Sequence, residues 1–179
     1  NAFYQRELAG MVLRVIPTTV LPLNELQLPK SVHRFTELRR GLLLVTGATV
    51  SGKSTTLASI VDAINSSRYE HILTVEDPIE FVHTDQKSVV NQREVGQDTG
   101  SFMSALRSAL RQDPDVILIG EMRDAETIRT AIHAAETGHL VLSTLHTIDA
   151  AEAVGRIIGM FPPHEQSEVR KALSNVLQG

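Results

Sequence analysis

A chain of 179 residues, 42% hydrophobic and 21% charged, suffices for one complete core and a fragment of a second unit. Its net charge of −4 exerts no overall pull towards nucleic acid or an anionic membrane, and no apolar run approaches the ~20 residues needed to cross a bilayer. The absence of cysteine excludes disulfides and thiolate-bound zinc within these residues.

The chain opens without Met inside a strand-like stretch and stops inside a helix-like one, so it reads as a fragment. No secretory leader is legible, which sets a cytoplasmic, ATP-rich compartment as the expectation. Ala2–Arg6 and Met11–Ile16 read as two strands joined by a turn containing Gly10. Pro17, Pro22 and Pro29 punctuate a linker with a short helical piece near Asn24–Leu26, and a second short helix follows Pro29. Leu42–Thr46 is a short buried strand.

Gly47-Ala48-Thr49-Val50-Ser51-Gly52-Lys53-Ser54 follows at once and fits G-x-x-x-x-G-K-[ST] at every fixed position. Leu57, Ile60, Val61 and Ile64 recur at helical spacing behind it, so a helix begins at about Lys53. Strand, loop and helix stand in the order that a phosphate-binding loop requires. In such a loop the main-chain N–H groups of residues 47–55, through Thr55, converge on one concavity, and the helix N-terminus adds partial positive charge. Lys53 reaches the β- and γ-phosphates, and the Ser54 hydroxyl is a ligand for Mg²⁺. The expected ligand is ATP with its metal.

Strand-like and helix-like segments then alternate. Ile72–Val75 is a strand and Ser88–Asn91 a shorter one. Ser101 caps a helix striped with Phe102, Ala105, Leu106, Ala109 and Leu110. Val116–Ile119 is a buried strand, and Asp124 caps a helix carrying Ile128, Ala131, Ile132 and Ala135, closed by Gly138. Leu140–Ser143 is the next strand, and Asp149 caps a helix with Ala153, Val154, Ile157 and Ile158 inward. Pro163 opens the last helix, with Val169, Ala172, Leu173 and Val176 on one side. This alternation implies an α/β fold: a mostly parallel sheet with helices on both faces.

Hydrolysis of ATP needs a metal, a carboxylate near the attacking water and positive charge on the transition state. Gly120-Glu121 follows the apolar strand Val116–Ile119, where a Walker B acid belongs; Gly120 holds the usual aspartate position, which leaves Glu121 to hold the metal's water or activate the nucleophile. The alternative is that Glu121 merely caps the next helix and pairs with Arg123. Glu76, Asp77 and Glu80 follow a second strand, at the sheet end where ligands gather; a solvated turn on Asp77-Pro78 is the bland version. His139 and His146 flank a third strand, with His146 at its carboxyl end, as a γ-phosphate sensor or as a group that satisfies local hydrogen bonds. The other five histidines read as surface residues. Arg107 and Arg111, four apart, share the helical face opposite the apolar stripe, as arginine fingers towards a neighbouring subunit or as an ordinary solvated face.

Leu110-Arg111-Gln112-Asp113-Pro114-Asp115 through Gly120-Glu121-Met122-Arg123-Asp124 resembles the signature of the type II/type IV secretion ATPase superfamily. Thr74 to Glu80 is similar to its Asp box, and Thr137-Gly138-His139 through Thr144-Leu145-His146-Thr147 to its His box. With the phosphate loop, four motifs stand in the family's order. Asn91-Gln92-Arg93-Glu94-Val95 and Met160-Phe161-Pro162-Pro163 resemble the pilus retraction motors of that superfamily.

The resemblance implies a homo-hexameric ring in which nucleotide sits between a PAS-like N-terminal domain and a RecA-like C-terminal domain. Residues 1–21 would be the tail of the former plus the linker, and 22–179 most of the latter. Glu80 becomes the Asp-box acid, Glu121 the Walker B glutamate, and His139 and His146 the His-box pair; Arg14, Arg107 and Arg111 become candidates for contact with phosphates across subunits. It also implies a partner in the inner-membrane pilus platform protein, with the motor peripheral to the cytoplasmic face of that membrane, not inserted in it and not bound to nucleic acid. Two departures stand out: Ala48 and Val50 occupy positions where the family usually has Pro and Gly. A β-branched residue loses the positive-φ option that glycine keeps, at a cost of about 1–3 kcal/mol if the loop requires that conformation, so binding is expected to survive with weaker or slower turnover. A pilus-assembly or secretion motor, and a nucleotide-binding accessory subunit with weak hydrolysis, are the alternatives.

Overall fold

The structure, a computed structural model, describes residues 2–13, 15–17 and 19–179. Arg14, a sequence-level candidate, lies outside the described residues.

Five parallel strands make the main sheet: β3 (Gly41–Thr46), β4 (His71–Glu76), β5 (Val89–Glu94), β6 (Val116–Ile119) and β7 (Leu140–Leu145), in the spatial order β3-β7-β6-β4-β5. Every residue of β6 and β7 is buried, as parallel strands covered on both faces require. Alternate side chains divide between two cores. Leu43, Val116, Leu118, Leu140 and Leu142 pack on Leu57, Ile60 and Ile64 of α1 (Lys53–Ser67). Leu42, Ile117, Ile119, Val141 and Leu145 face Ile128, Ala131 and Ile132 of α3 (Ala125–Glu136), joined by Ala153 and Ile157 of α4 (Ala150–Gly159) and Leu173 of α5 (Gln166–Val176). Leu73 and Val75 of β4 pack on Ala105 and Ala109 of α2 (Phe102–Ala109). Helices thus lie on both faces, as expected.

The caps follow the sequence. Ser101 and Ser104 form a reciprocal capping box on α2, while Asp124 accepts from the Thr127 amide and Asp149 from the Glu152 amide. Each such cap contributes about 1 kcal/mol.

Three expectations need correction. The amino-terminal strands are β1 (Ala2–Gln5) and β2 (Leu8–Met11), an antiparallel pair turning at Arg6-Glu7 and not at Gly10. Arg6 and Glu7 both take positive φ, 51° and 64°, the tight two-residue geometry that matches strand twist. Gly10 lies inside β2 opposite Phe3, where an added Cβ would stand 2.7 Å from the ring. Of the described residues in Met11–Ile16 only Met11 belongs to a strand, as the end of β2. β5 reaches Glu94, beyond Asn91, because an edge strand keeps its ladder to β4 while carrying the polar Gln92, Arg93 and Glu94. Last, α5 starts at Gln166; Pro163 belongs to the preceding turn, in which the Glu165 amide donates to the Pro162 carbonyl.

No helix among the described residues is long and apolar enough to cross a membrane.

Candidate functional site

The carboxyl ends of β3, β4, β6 and β7 open on one cleft of about 540 Å³. One wall is the loop between β3 and α1. Gly47, at φ 148°, has no room for a Cβ beside the Ser51 hydroxyl, and Gly52, at φ 93°, starts α1 from the left-handed region. Lys53 is buried and donates through Nζ to the carbonyls of Gly47 (2.9 Å) and Ala48 (2.7 Å), so its ammonium closes the loop on itself. Thr49, Val50, Gly52, Lys53, Ser54 and Thr55 line the cleft, whereas Ser51 turns to a second hollow beside β3. Val50 stands at φ 66° and is 97% exposed, so the β-branched residue occupies the left-handed conformation without burial in return.

The opposite wall begins where β6 ends. The Gly120 amide donates to the Val75 carbonyl at 2.8 Å, and a Cβ at Gly120 would lie 3.3 Å from the Glu76 Cα. An aspartate does not fit there without moving β4, which explains the glycine. Ser143 donates to the Ile119 carbonyl (2.8 Å) and Thr144 to that of Gly120 (2.7 Å), so β7 grips the turn that presents Glu121. Glu121 accepts from Arg123 Nε at 2.8 Å and stands 3.5 Å from His146 Nε2. Arg123 also stands 3.9 Å from Asp77. The role of helix cap belongs to Asp124, not to Glu121; the pairing with Arg123 does occur.

Glu76, Asp77 and Glu80 all reach the cleft. Glu76 Oε1 accepts from the Thr74 hydroxyl (2.7 Å) and from Gln92 Nε2 (3.2 Å), and the Glu80 amide also donates to this carboxyl. Burial nevertheless holds its pKa above the usual carboxylate value, against the hydrogen bonds from Thr74 and Gln92, which favour the charged form. His83 lines the same wall; burial pushes its pKa down, Asp62 opposing, and its Nδ1 has no partner.

Of the sequence-level candidates, Lys53, Ser54, Glu80, Glu121 and His146 converge here. His139 does not. It precedes β7, at the amino end of the strand, and its Nδ1 bonds the Ala134 carbonyl (2.9 Å) near the end of α3. A six-residue strand puts it about 20 Å from the carboxyl end of the sheet. His139, implied with His146 as a His-box pair, therefore stands away from the cleft that His146 lines. Arg107 is exposed on α2, whereas Arg111 is exposed in the turn that follows, because the helix ends at Ala109. The shared helical face expected from their spacing is therefore corrected; neither residue lines the cleft, and Arg107 pairs with Glu126 at 2.7 Å. Among the described residues no cluster of three His, Cys, Asp or Glu could hold a metal by itself. Ser54 and Glu121 do face one cleft, which suits an ion that takes most of its ligands from phosphates and water.

Sequence reasoning missed Thr74, Phe81, His83, Phe102, Arg123 and Thr144 as parts of the wall. Thr74 and Thr144 carried a signal: hydroxyl residues in otherwise apolar strand runs near their carboxyl ends, Thr74 singly and Thr144 beside Ser143.

A family model for type II/IV secretion system proteins matches residues 9–178, and the chain belongs to this family. It is 57% identical over 178 residues to the type IV pilus retractation ATPase PilT of Pseudomonas aeruginosa, covering 99% of this chain and 52% of that protein. A twitching motility protein of Neisseria gonorrhoeae is 56% identical over 177 residues, 99% of this chain and 47% of its own length. The crystal structure of the pilus retraction motor PilT with bound ADP superposes with a TM-score of 0.97 at 54% identity, over 99% of this chain and 52% of that one. The chain thus spans about half the length of the curated relatives it matches.

Proposed function

We propose that this chain is the nucleotide-hydrolysing part of a motor ATPase that powers type IV pilus retraction, and hence twitching motility. The observation that carries the reading is the convergence of Lys53, Ser54, Glu80, Glu121 and His146 on one cleft in a chain 57% identical to a pilus retractation ATPase. The order β3-β7-β6 sets a strand between the phosphate loop and Glu121, which suits a RecA-like core spanning residues 22–179. Residues 1–21 then belong to a PAS-like domain and its linker. The exposed Tyr4, Leu8 and Met11 of the hairpin support this, since apolar side chains of that size call for a covering surface.

In this reading the loop amides and Lys53 bind the triphosphate, and Glu121 orients the attacking water with help from Arg123 and His146. Glu80 lies on the far wall as a second acid for that water. Ser54 and Glu121 would hold Mg²⁺, which when bound would neutralise charge developing on the phosphates. Arg107 and Arg111, remote from their own cleft, serve the cleft of a neighbour in a homo-hexamer. The motor works in the cytoplasm, peripheral to the membrane, against the inner-membrane platform protein of the pilus.

The test is Glu121→Gln in the full-length protein. Magnesium ATP binding stays within about twofold and phosphate release falls by at least about a hundredfold. Undiminished release would remove Glu121 from the chemistry and the reading with it.

A further inference from the structure

We propose that Gln92 is the positioning residue of the acidic wall: one carboxamide fixes the loop that carries Asp77 and Glu80. The inference rests on the hydrolytic role assigned to that wall above. Gln92 sits on the edge strand β5 opposite Thr74, and it does not line the cleft. Its Nε2 donates to Glu76 Oε1 (3.2 Å) and to the Phe81 carbonyl (2.9 Å), and its Oε1 accepts from the His83 amide (2.7 Å). Two residues further along, on the same side of the strand, Glu94 accepts from the Ile79 amide at 3.1 Å.

Residues 77–83 have no helix or strand of their own. Positions 79, 81 and 83 are instead held by two side chains of β5, which stand in for the backbone of a missing strand. Glu76, pinned by Thr74 and Gln92, accepts in turn from the Glu80 amide, so the hold on the loop passes from Gln92 to the residue that carries the second acid.

Only a carboxamide donates to a carboxylate and to a carbonyl while accepting from an amide. An ionised carboxylate at this position has no N–H to give and repels Glu76. The isosteric Gln92→Glu therefore turns the clamp into a pH-dependent one: protonation returns a single donor. Wild type carries the same Glu80, His83 and Glu94, which leaves the new carboxyl and Glu76, titrating as one pair, as the source of a change in the ratio of variant to wild type.

The experiment uses the full-length protein with magnesium ATP, comparing wild type, Gln92→Ala and Gln92→Glu. Gln92→Ala is expected to lower kcat by about tenfold, with nucleotide affinity kept within about twofold. Gln92→Glu is expected to recover, relative to wild type, as pH falls from about 8 to about 5.5, while the alanine ratio stays flat. Amide hydrogen exchange supplies an arm independent of catalysis: the Ile79 to His83 amides exchange faster in Gln92→Ala, and those of residues 47–56 do not. Unchanged exchange in 79–83 overturns the clamp even if wild type proves inactive, an outcome that would sink the hydrolytic reading separately. Parallel losses of kcat, affinity and thermal stability with a flat pH ratio also overturn it, since they describe a residue that merely supports the fold.

Discussion

Arg123 donates through Nε to Oε2 of Glu121 at 2.8 Å and holds another nitrogen 3.9 Å from Asp77, so one guanidinium spans the ends of β6 and β4. Being 60% exposed, it adds less than ~1 kcal/mol to stability. Its value lies in the orientation of Glu121. Arg123→Ala is expected to leave Tm nearly unchanged and to lower kcat by about tenfold, read by steady-state phosphate release. A loss of Tm without a change in kcat would refute it.

Val50, at φ 66° and 97% exposed, strains the phosphate loop and makes little packing contact in return. Val50→Gly relieves strain of ~1–3 kcal/mol and gives back up to ~1 kcal/mol in chain entropy. Net stabilisation of ~1 kcal/mol and faster turnover are expected, measured by chemical denaturation and phosphate release. Equal kcat, KM and stability in the two proteins would dispose of the claim.

At the opposite end of the sheet Glu70 Oε1 accepts from Arg68 at Nε (2.8 Å) and from Arg39 (2.6 Å), while Arg68 also donates to the Thr36 and Leu38 carbonyls. The Glu70 side chain is 5% exposed. Glu70→Ala strands the buried Arg68 cation and is expected to cost ~3–5 kcal/mol in urea unfolding, with nucleotide affinity of the folded fraction unchanged.

Glu76 gives a pH signature. Its folded pKa is raised by burial, so its contribution to stability is complete below the unfolded carboxylate value and is lost as pH rises through the folded value. Glu76→Gln keeps an Oε1 for Thr74 and Gln92 and removes the titration. The variant should gain stability over wild type on the neutral side and lose that advantage in acid; thermal melts across this range decide it. A constant offset at every pH would contradict the assignment.

The sheet and its helices were legible because burial on both faces leaves unbroken apolar runs, as in Val116–Ile119, and because Ser101, Asp124 and Asp149 mark helix starts. The phosphate loop was legible because its backbone geometry demands Gly47 and Gly52. The hairpin turn at Arg6-Glu7 was not, since neither residue advertises a left-handed conformation. The separation of the two histidines was legible, since they flank one strand and only His146 stands at its carboxyl end, where the cleft lies. The clamp at Gln92 joins segments that only the edge pairing of β5 on β4 brings together.

That β7 runs between β3 and β6, with Thr144 fastened to Gly120, means the two chemical halves of the site hang from a common beam. The phosphate loop and Glu121 therefore travel together whenever the sheet shifts. The far lip is fastened differently, to the outermost strand through the side chains of Gln92 and Glu94 and to the linker through the Val82 amide on the Pro17 carbonyl, so its position is set apart from that beam.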